Sequence, residues 1–281
     1  MMFNNKNAEI YVPDSTPVDQ ALARTTAICF AAHQDDIEIM AYGPIVEAYG
    51  REDKWFTGVT LTDGAGSPRA GVYERYTDDQ MKAVRAVEQK DAAKVGKYSA
   101  MALLNYPSSQ TKDPANKALE EDIVTLLEKT GAHIVYTHNL ADKHDTHVAT
   151  ALKVIRAIRS MPVEKRPKKL ISLEVWRGLD WLCDEDKTVF DTSPHPNLAA
   201  AILGLFDSQI AGGKRYDAAA LGRRLANATF FASHDVDDCD SMSYGLDISE
   251  LIEDDNLDPI AFINKYIENF KEEVEKRIAR F

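Results

Sequence analysis

Two short segments of this 281-residue chain hold the side chains that metal-assisted hydrolysis needs: Ala32-His33-Gln34-Asp35-Asp36 and His144-Asp145-Thr146-His147. A catalytic zinc site binds three protein groups and leaves a fourth position for water, whose pKa falls to about 7 on the metal. His33 and Asp36, three residues apart across a turn, can converge on one ion, and His147 would complete a His-Asp-His set. Asp35 points differently from Asp36, which leaves it free to take the water proton and later deliver it to a leaving amine. His144 can donate a hydrogen bond to a developing oxyanion. Each segment alone has an ordinary explanation. Asp35 or Asp36 can cap a helix, and two histidines three apart at a helix start can simply share one solvated side. Joint occurrence is far more specific, provided the fold brings the two segments together.

The elements around them make that meeting plausible on topological grounds. Apolar runs at residues 26–32, 55–61, 100–104, 133–137 and 170–175 read as buried strands, with helical stretches at 37–49, 78–95, 114–129 and 146–161 between them. In the last of these, Val148, Leu152, Ile155 and Ile158 fall on one helix face. Strand-helix alternation with near-continuous apolar strands indicates a three-layer α/β/α sandwich around a Rossmann-like, mostly parallel sheet. Ligands of such sheets bind beyond the carboxyl ends of the strands. His33 directly follows the first strand and His144 follows the fourth by a short loop, so both segments belong at that end.

After residue 191 the pattern turns helical, at 198–209, 217–231 and 259–280. The terminal helix carries a stripe of Ile260, Ile263, Ile267, Phe270 and Val274, which reads as the face packed on the domain. The expected organisation is one domain over residues 1–281: an α/β core at 1–190 with the metal site, and a mainly helical extension at 191–281.

Ala32-His33-Gln34-Asp35-Asp36-Ile37-Glu38 closely resembles the Ala-His-Pro-Asp-Asp-x-Glu signature of LmbE-like (PIG-L-like) deacetylases. Thr137-His138-Asn139 through His144-Asp145-Thr146-His147-Val148-Ala149-Thr150 is similar to that family's second motif, His-Pro-Asp-His followed by Ala-Thr. Asp63-Gly64-Ala65-Gly66-Ser67-Pro68-Arg69 resembles its Gly-rich loop, and Arg85 with Glu88 its Arg-x-x-Glu helix; the likeness runs to about Trp176, with Ser208-Gln209 an echo beyond it. The resemblance implies a zinc-dependent amidase that removes acetyl groups from N-acetylglucosamine-like or other N-acylated small molecules. It implies His33, Asp36 and His147 as metal ligands, Asp35 as general acid/base and His144 as the oxyanion-stabilising histidine, in agreement with the spacing. Three positions depart from the pattern. Gln34 replaces the usual Pro, Gly43-Pro44 stands where a small pair is common, and Thr146 replaces the acid that normally supports the histidine pair. Asp145 or Asp142 is available to substitute for that acid.

The remaining sequence bounds the partners. A formal charge of −12 argues against a nucleic-acid partner, whose phosphates demand basic surface. The short basic stretches Lys165-Arg166-Pro167-Lys168-Lys169 and Arg223-Arg224 read as solvated surface. Cys29, Cys183 and Cys239 form neither a disulfide framework nor a zinc ribbon, and Cys29 reads as a small core residue. The absence of a signal-like or membrane-spanning apolar run makes a cytoplasmic protein the expectation. Arg69 is either a substrate-binding arginine or an exposed loop residue, and Trp176 either lines the pocket or is plain core. Specificity is expected from the loops around Arg69, Ser108 and Trp176 and from the C-terminal third; His234 is either a helix-end histidine or an approach to the site, and His138 a supporting partner of a ligand. The expected cofactor is one Zn2+ per chain, with another divalent transition metal admissible, and the expected partner an N-acylated small molecule. The family resemblance adds a homo-oligomer. A two-metal phosphoesterase and a non-catalytic sugar- or metal-binding module are the rival readings.

Overall fold

A computed structural model describes residues 3–281. Its strands are β1 (Glu9–Tyr11), β2 (Ala27–Ala31), β3 (Phe56–Thr62), β4 (Ala100–Tyr106), β5 (Ile134–His138), β6 (Lys169–Leu173), β7 (Thr188–Asp191) and β8 (Met242–Asp247). They form one sheet in the order β1-β4-β3-β2-β5-β6-β8-β7. The five strands expected from apolar runs make its parallel centre, β4 to β6. Alternate side chains of β2 serve opposite faces: Ile28 and Phe30 enter one core, Cys29 and Ala31 the other. Burial on both faces is the reason these strands read as nearly unbroken apolar runs.

The sheet is mixed at its edges. β1 pairs antiparallel with β4, and β8 inserts antiparallel between β6 and β7. These three strands escape the sequence pattern because two of them have only three and four residues and β8 lies in an otherwise helical stretch. The C-terminal part is still mainly helical, but it contributes a strand to the core sheet.

The helices are α1 (Val18–Ala23), α2 (Asp36–Met40), α3 (Tyr42–Ala48), α4 (Asp78–Val95), α5 (Ser108–Lys112), α6 (Lys117–Lys129), α7 (Asp145–Ser160), α8 (Pro196–Gly204), α9 (Asp207–Ile210), α10 (Tyr216–Phe231), α11 (Glu250–Glu253) and α12 (Pro259–Ile278). The single helix expected at 37–49 is two, broken at Ala41. Pro44 has no N–H to give the carbonyl four residues back, so a continuous helix cannot form there. The stretch at 198–209 likewise divides into α8 and α9, and that at 114–129 starts later, as α6. One core lies under α1, α6, α7, α11 and α12, and the second under α2, α3, α4 and α8.

On α12 the structure corrects the sequence reading. Phe262 and Tyr266 turn inward and are buried, whereas Ile260, Ile267, Phe270 and Val274 of the expected packing stripe stay 39–67% exposed. Among the described residues no helix is long and apolar enough to cross a membrane.

Candidate metal centre and active site

Strand order reverses direction of growth at β2: β3 and β4 lie on one side, β5 and β6 on the other. This switch point opens a crevice at the carboxyl ends of β2 and β5, and both histidine segments emerge into it. Beyond β2 the chain is pinned to its neighbours. The Ala32 N–H donates to His138 Nε2 at 2.8 Å, and the Ala32 carbonyl accepts from the Thr62 N–H. The chain then reverses through Asp35, whose φ of 95° is in the left-handed region. Few non-glycine residues adopt it, and Asp and Asn are among those that do.

Helix α4 holds that strained turn in place. Gln89 Oε1 accepts the Asp35 N–H at 3.2 Å, and Arg85 donates to the Gln34 carbonyl and to Ser67. Gln34, standing where the resembled signature has proline, uses its side-chain amide to bond the Thr62 carbonyl at 2.9 Å. The turn is therefore tied by hydrogen bonds where a proline ring would stiffen it. Gly64 permits this: with φ of 76° its α-carbon sits so close that a Cβ would lie 2.7 Å from Gln34 Oε1 and 2.9 Å from Arg85 Cδ.

Glu38 and Gln89 complete the support. Buried Glu38 accepts from Tyr98 Oη at 2.7 Å and Gln89 Nε2 at 2.9 Å. Burial, opposed by these bonds, pushes its carboxyl up from 4.5 to about 7. The folded state then keeps a proton that the unfolded chain has released, so stability falls as pH rises from about 4.5 to about 7. At about 1.4 kcal/mol per pH unit, Glu38→Gln should gain on the order of 3 kcal/mol relative to the parent between pH 5 and pH 8. Urea unfolding of both metal-free proteins at the two pH values measures this; parallel pH profiles would refute the Glu38 assignment.

The second segment is positioned by Asp142. Its Oδ1 accepts the His144 N–H at 2.9 Å and lies 3.6 Å from His147 Nδ1, while Oδ2 accepts the Trp176 N–H at 3.0 Å. Asp142 thus joins the loops after β5 and β6 and turns His147 so that Nε2 faces His33. His147 Nε2 lies 3.2 Å from His33 Nδ1 and 3.3 Å from Asp36 Oδ2, and His33 Nδ1 is 3.1 Å from Asp36 Oδ2. Three donors at zinc bond lengths of 2.0–2.2 Å on a tetrahedron would be separated by roughly 3.3–3.6 Å. The observed triangle is within a few tenths of an ångström of that, so the residues present fit the ion.

The charge environment agrees. Burial alone would raise the Asp36 carboxyl, but the facing imidazoles of His147 and His33 hold it well below the usual range. Burial pushes His147 down, and Asp36 and Asp142 override it, raising the ring to about 10. These are the signs expected where negative charge is concentrated around a buried cation position. Asp35 behaves oppositely. Burial drives its carboxyl well above the ordinary value despite Arg85 Nη2 at 3.6 Å. Two adjacent carboxyls pushed apart in this way suit separate roles, one as ligand and one as proton carrier.

His33 and Asp36 line one end of a cavity of about 560 Å³, within the usual range for small-molecule sites, with His147 buried behind them. His144 and Trp176 both line it, with rings 5.9 Å apart, and His144 stacks at 4.5 Å on His147. Arg69 is elsewhere: it pairs with Asp78 and donates to the Ala65 carbonyl at 2.8 Å, and it is absent from the cavity wall. His234 is exposed and absent from the lining. His138 is fully buried and stacks on His147 at 4.0 Å, where it supports that ring. Thr146, in place of the usual acid, shares a hydrogen bond with Ser108 at 3.1 Å. Among the described residues no carboxylate takes over at the His144 ring: Asp145 is exposed and Asp142 serves His147.

Several wall residues escaped the sequence reading. Tyr216, Lys214 and Arg223 reach the cavity from α10 and the segment before it. The Arg223-Arg224 pair is not solvated surface: Arg223 donates to the Val175 carbonyl at the wall, and buried Arg224 donates to the Glu38 and Ile39 carbonyls. A two-residue basic stretch carries no periodic signal by which this could be found.

A family described as PIG-L, GlcNAc-PI de-N-acetylase, matches residues 28–158, which contain all five proposed metal and catalytic residues. No curated protein sequence matches the chain. Among solved structures, N,N'-diacetylchitobiose deacetylase from Pyrococcus horikoshii is similar with a TM-score of 0.64 at 14% identity, covering 82% of this chain and 86% of that one. A conserved protein from Thermus thermophilus gives 0.61 at 15% identity, covering 80% and 94%. GalB, a 4-carboxy-2-hydroxymuconate hydratase from Pseudomonas putida, gives 0.58 at 15% identity, covering 80% and 96%. At such identities the likeness establishes the shared fold, and a hydratase among these neighbours leaves the reaction to the site itself.

Proposed function

We propose, for a chain that belongs over residues 28–158 to the PIG-L (LmbE-like) de-N-acetylase family, a zinc-dependent amide hydrolase that removes the acetyl group of an N-acetylglucosamine-like or related N-acylated small molecule. The observation that carries this reading is the convergence of His33 Nδ1, Asp36 Oδ2 and His147 Nε2, all within 4.8 Å of one another, with Asp35 beside them at a cavity wall. Zinc, held by those three residues, would supply Lewis acidity toward the acyl carbonyl and a lowered pKa for attacking water. Asp35 accepts the water proton and returns it to the nitrogen as the C–N bond breaks, so water and amide become acetate and amine. Its raised pKa suits a group that must hold the proton between those two moments. His144, on the cavity wall, hydrogen-bonds the carbonyl oxygen as negative charge develops.

Acetate release from a panel of N-acetylated sugars, with and without a chelator, tests the reaction. Zinc-dependent acetate release is expected, with one zinc per chain. No acetate from any member of a broad panel would overturn the reading, and two metals per chain would turn it toward a phosphoesterase. The positioning role of Asp142 has its own test. Asp142→Asn should weaken zinc affinity by about 10–100-fold, as loss of a carboxylate behind a ligating histidine does. Competition against a chromophoric chelator measures it; unaltered affinity would show that His147 is not held through Asp142.

A further inference from the structure

The cavity wall carries three cations that the reaction does not use. Lys112 ends α5, Lys214 precedes α10 and Arg223 lies two turns along it, and all three line the cavity. None makes a salt bridge among the described residues. The wall carboxylates, by contrast, are already matched. Asp63 is met by Lys82 at 3.3 Å, Asp35 faces Arg85, and Asp36 belongs to the metal triangle. The surplus charge of the wall is therefore positive. Arg223 donates one N–H to the Val175 carbonyl and lies within coulombic range of the Glu174 carboxylate, to which it makes no hydrogen bond, so other N–H groups of its fork remain for a ligand. The Trp176 ring links the two ends: it lies 5.9 Å from the His144 ring and 5.2 Å from the Lys214 ammonium.

We propose that this cavity takes an anionic N-acyl substrate, whose amide lies at the His33–Asp36–His147 end and whose carboxylate or phosphate is held by Lys112, Lys214 and Arg223. The inference rests on the deacetylase reading and narrows it. Lys214 and Arg223 lie outside the family-matched residues 28–158, so the subsite is a feature of this chain's C-terminal part. Lys112 is exposed and Lys214 and Arg223 are half-buried, so an anionic ligand seated among them gains charge-assisted hydrogen bonds that a neutral analogue does not make.

Three matched probes test it on the zinc-loaded full chain: N-acetylglucosamine (neutral), N-acetylmuramic acid (carboxylate) and N-acetylglucosamine 6-phosphate (phosphate). At least one anionic probe should exceed the neutral one in kcat/KM by about 10–100-fold, the worth of one or two charge-assisted hydrogen bonds. The preferred anionic probe tells carboxylate from phosphate. In Lys214→Met and, separately, Arg223→Met the anionic-to-neutral ratio should fall about tenfold, and added salt should lower it in the parent. Calorimetric titration with glucosamine, muramic acid and glucosamine 6-phosphate reads the subsite without turnover. Tighter binding of an anionic amine with no acetate release from any probe would support the subsite and sink the deacetylase reading. Turnover at equal kcat/KM for all three, or amines that bind equally or not at all, would overturn the anion subsite.

Discussion

Asp35→Asn should retain one zinc per chain and lower kcat about 10²–10⁴-fold, the usual contribution of general acid-base catalysis. Asparagine is the informative replacement because the backbone at Asp35 has φ of 95°, a region Asn enters more readily than Ala. The turn is also held through the Asp35 N–H, which donates to Gln89 and survives the substitution. What is lost is the ability to carry a proton between water and amine. An interaction needed only in the transition state lowers kcat and kcat/KM together and spares KM. Metal content and steady-state rates decide the matter. Turnover within a few-fold of the parent would remove Asp35 from the mechanism, and loss of zinc would make it part of the metal cage instead.

His147→Ala should abolish zinc binding near neutral pH. One of three donors disappears, and Asp142, which His147 faces at 3.6 Å, is left beside a cavity with its partner removed. Loss of a ligand should exceed the roughly 10–100-fold effect of removing a group behind one. The parent, with zinc at about 1,000 times its Kd, should gain about 4 kcal/mol from ligation. The variant should show no zinc-dependent rise in Tm. Retained stoichiometry by elemental analysis, or a Tm that still responds to zinc, would exclude His147 as a ligand.

Much of the site could be read from local spacing. His33, Asp35 and Asp36 are separated by one or two peptide units, so their geometry is set by one turn. His144 and His147 straddle the start of α7, where three-residue spacing places two side chains on one side. The parallel centre of the sheet was equally legible, since strands buried on both faces must be apolar throughout. Other features were not. Arg69 sits in a Gly-rich loop near the site, yet Asp78 of α4 captures it, an outcome no motif encodes. The amphipathic pattern of α12 located the helix but not its packed face, because Phe262 and Tyr266 compete with the longer Ile260–Val274 stripe for burial. Thr146 raised the question of a replacement acid for His144. The fold assigns Asp142 to His147 and gives Thr146 to Ser108.

The amino-acid sequence alone determined the candidate donor residues, the two turns that present them and the apolar strands that end in those turns. These are consequences of chain geometry over a few residues. Only the tertiary structure decided that His33 and His147 meet at 3.2 Å across 114 positions of sequence, and that α10 and the segment before it bring Arg223 and Lys214 to the same cavity. Such contacts follow from which strands lie side by side and which helix covers their ends. That choice minimises exposed apolar surface and unpaired polar groups over the whole chain at once, so no single segment contains it.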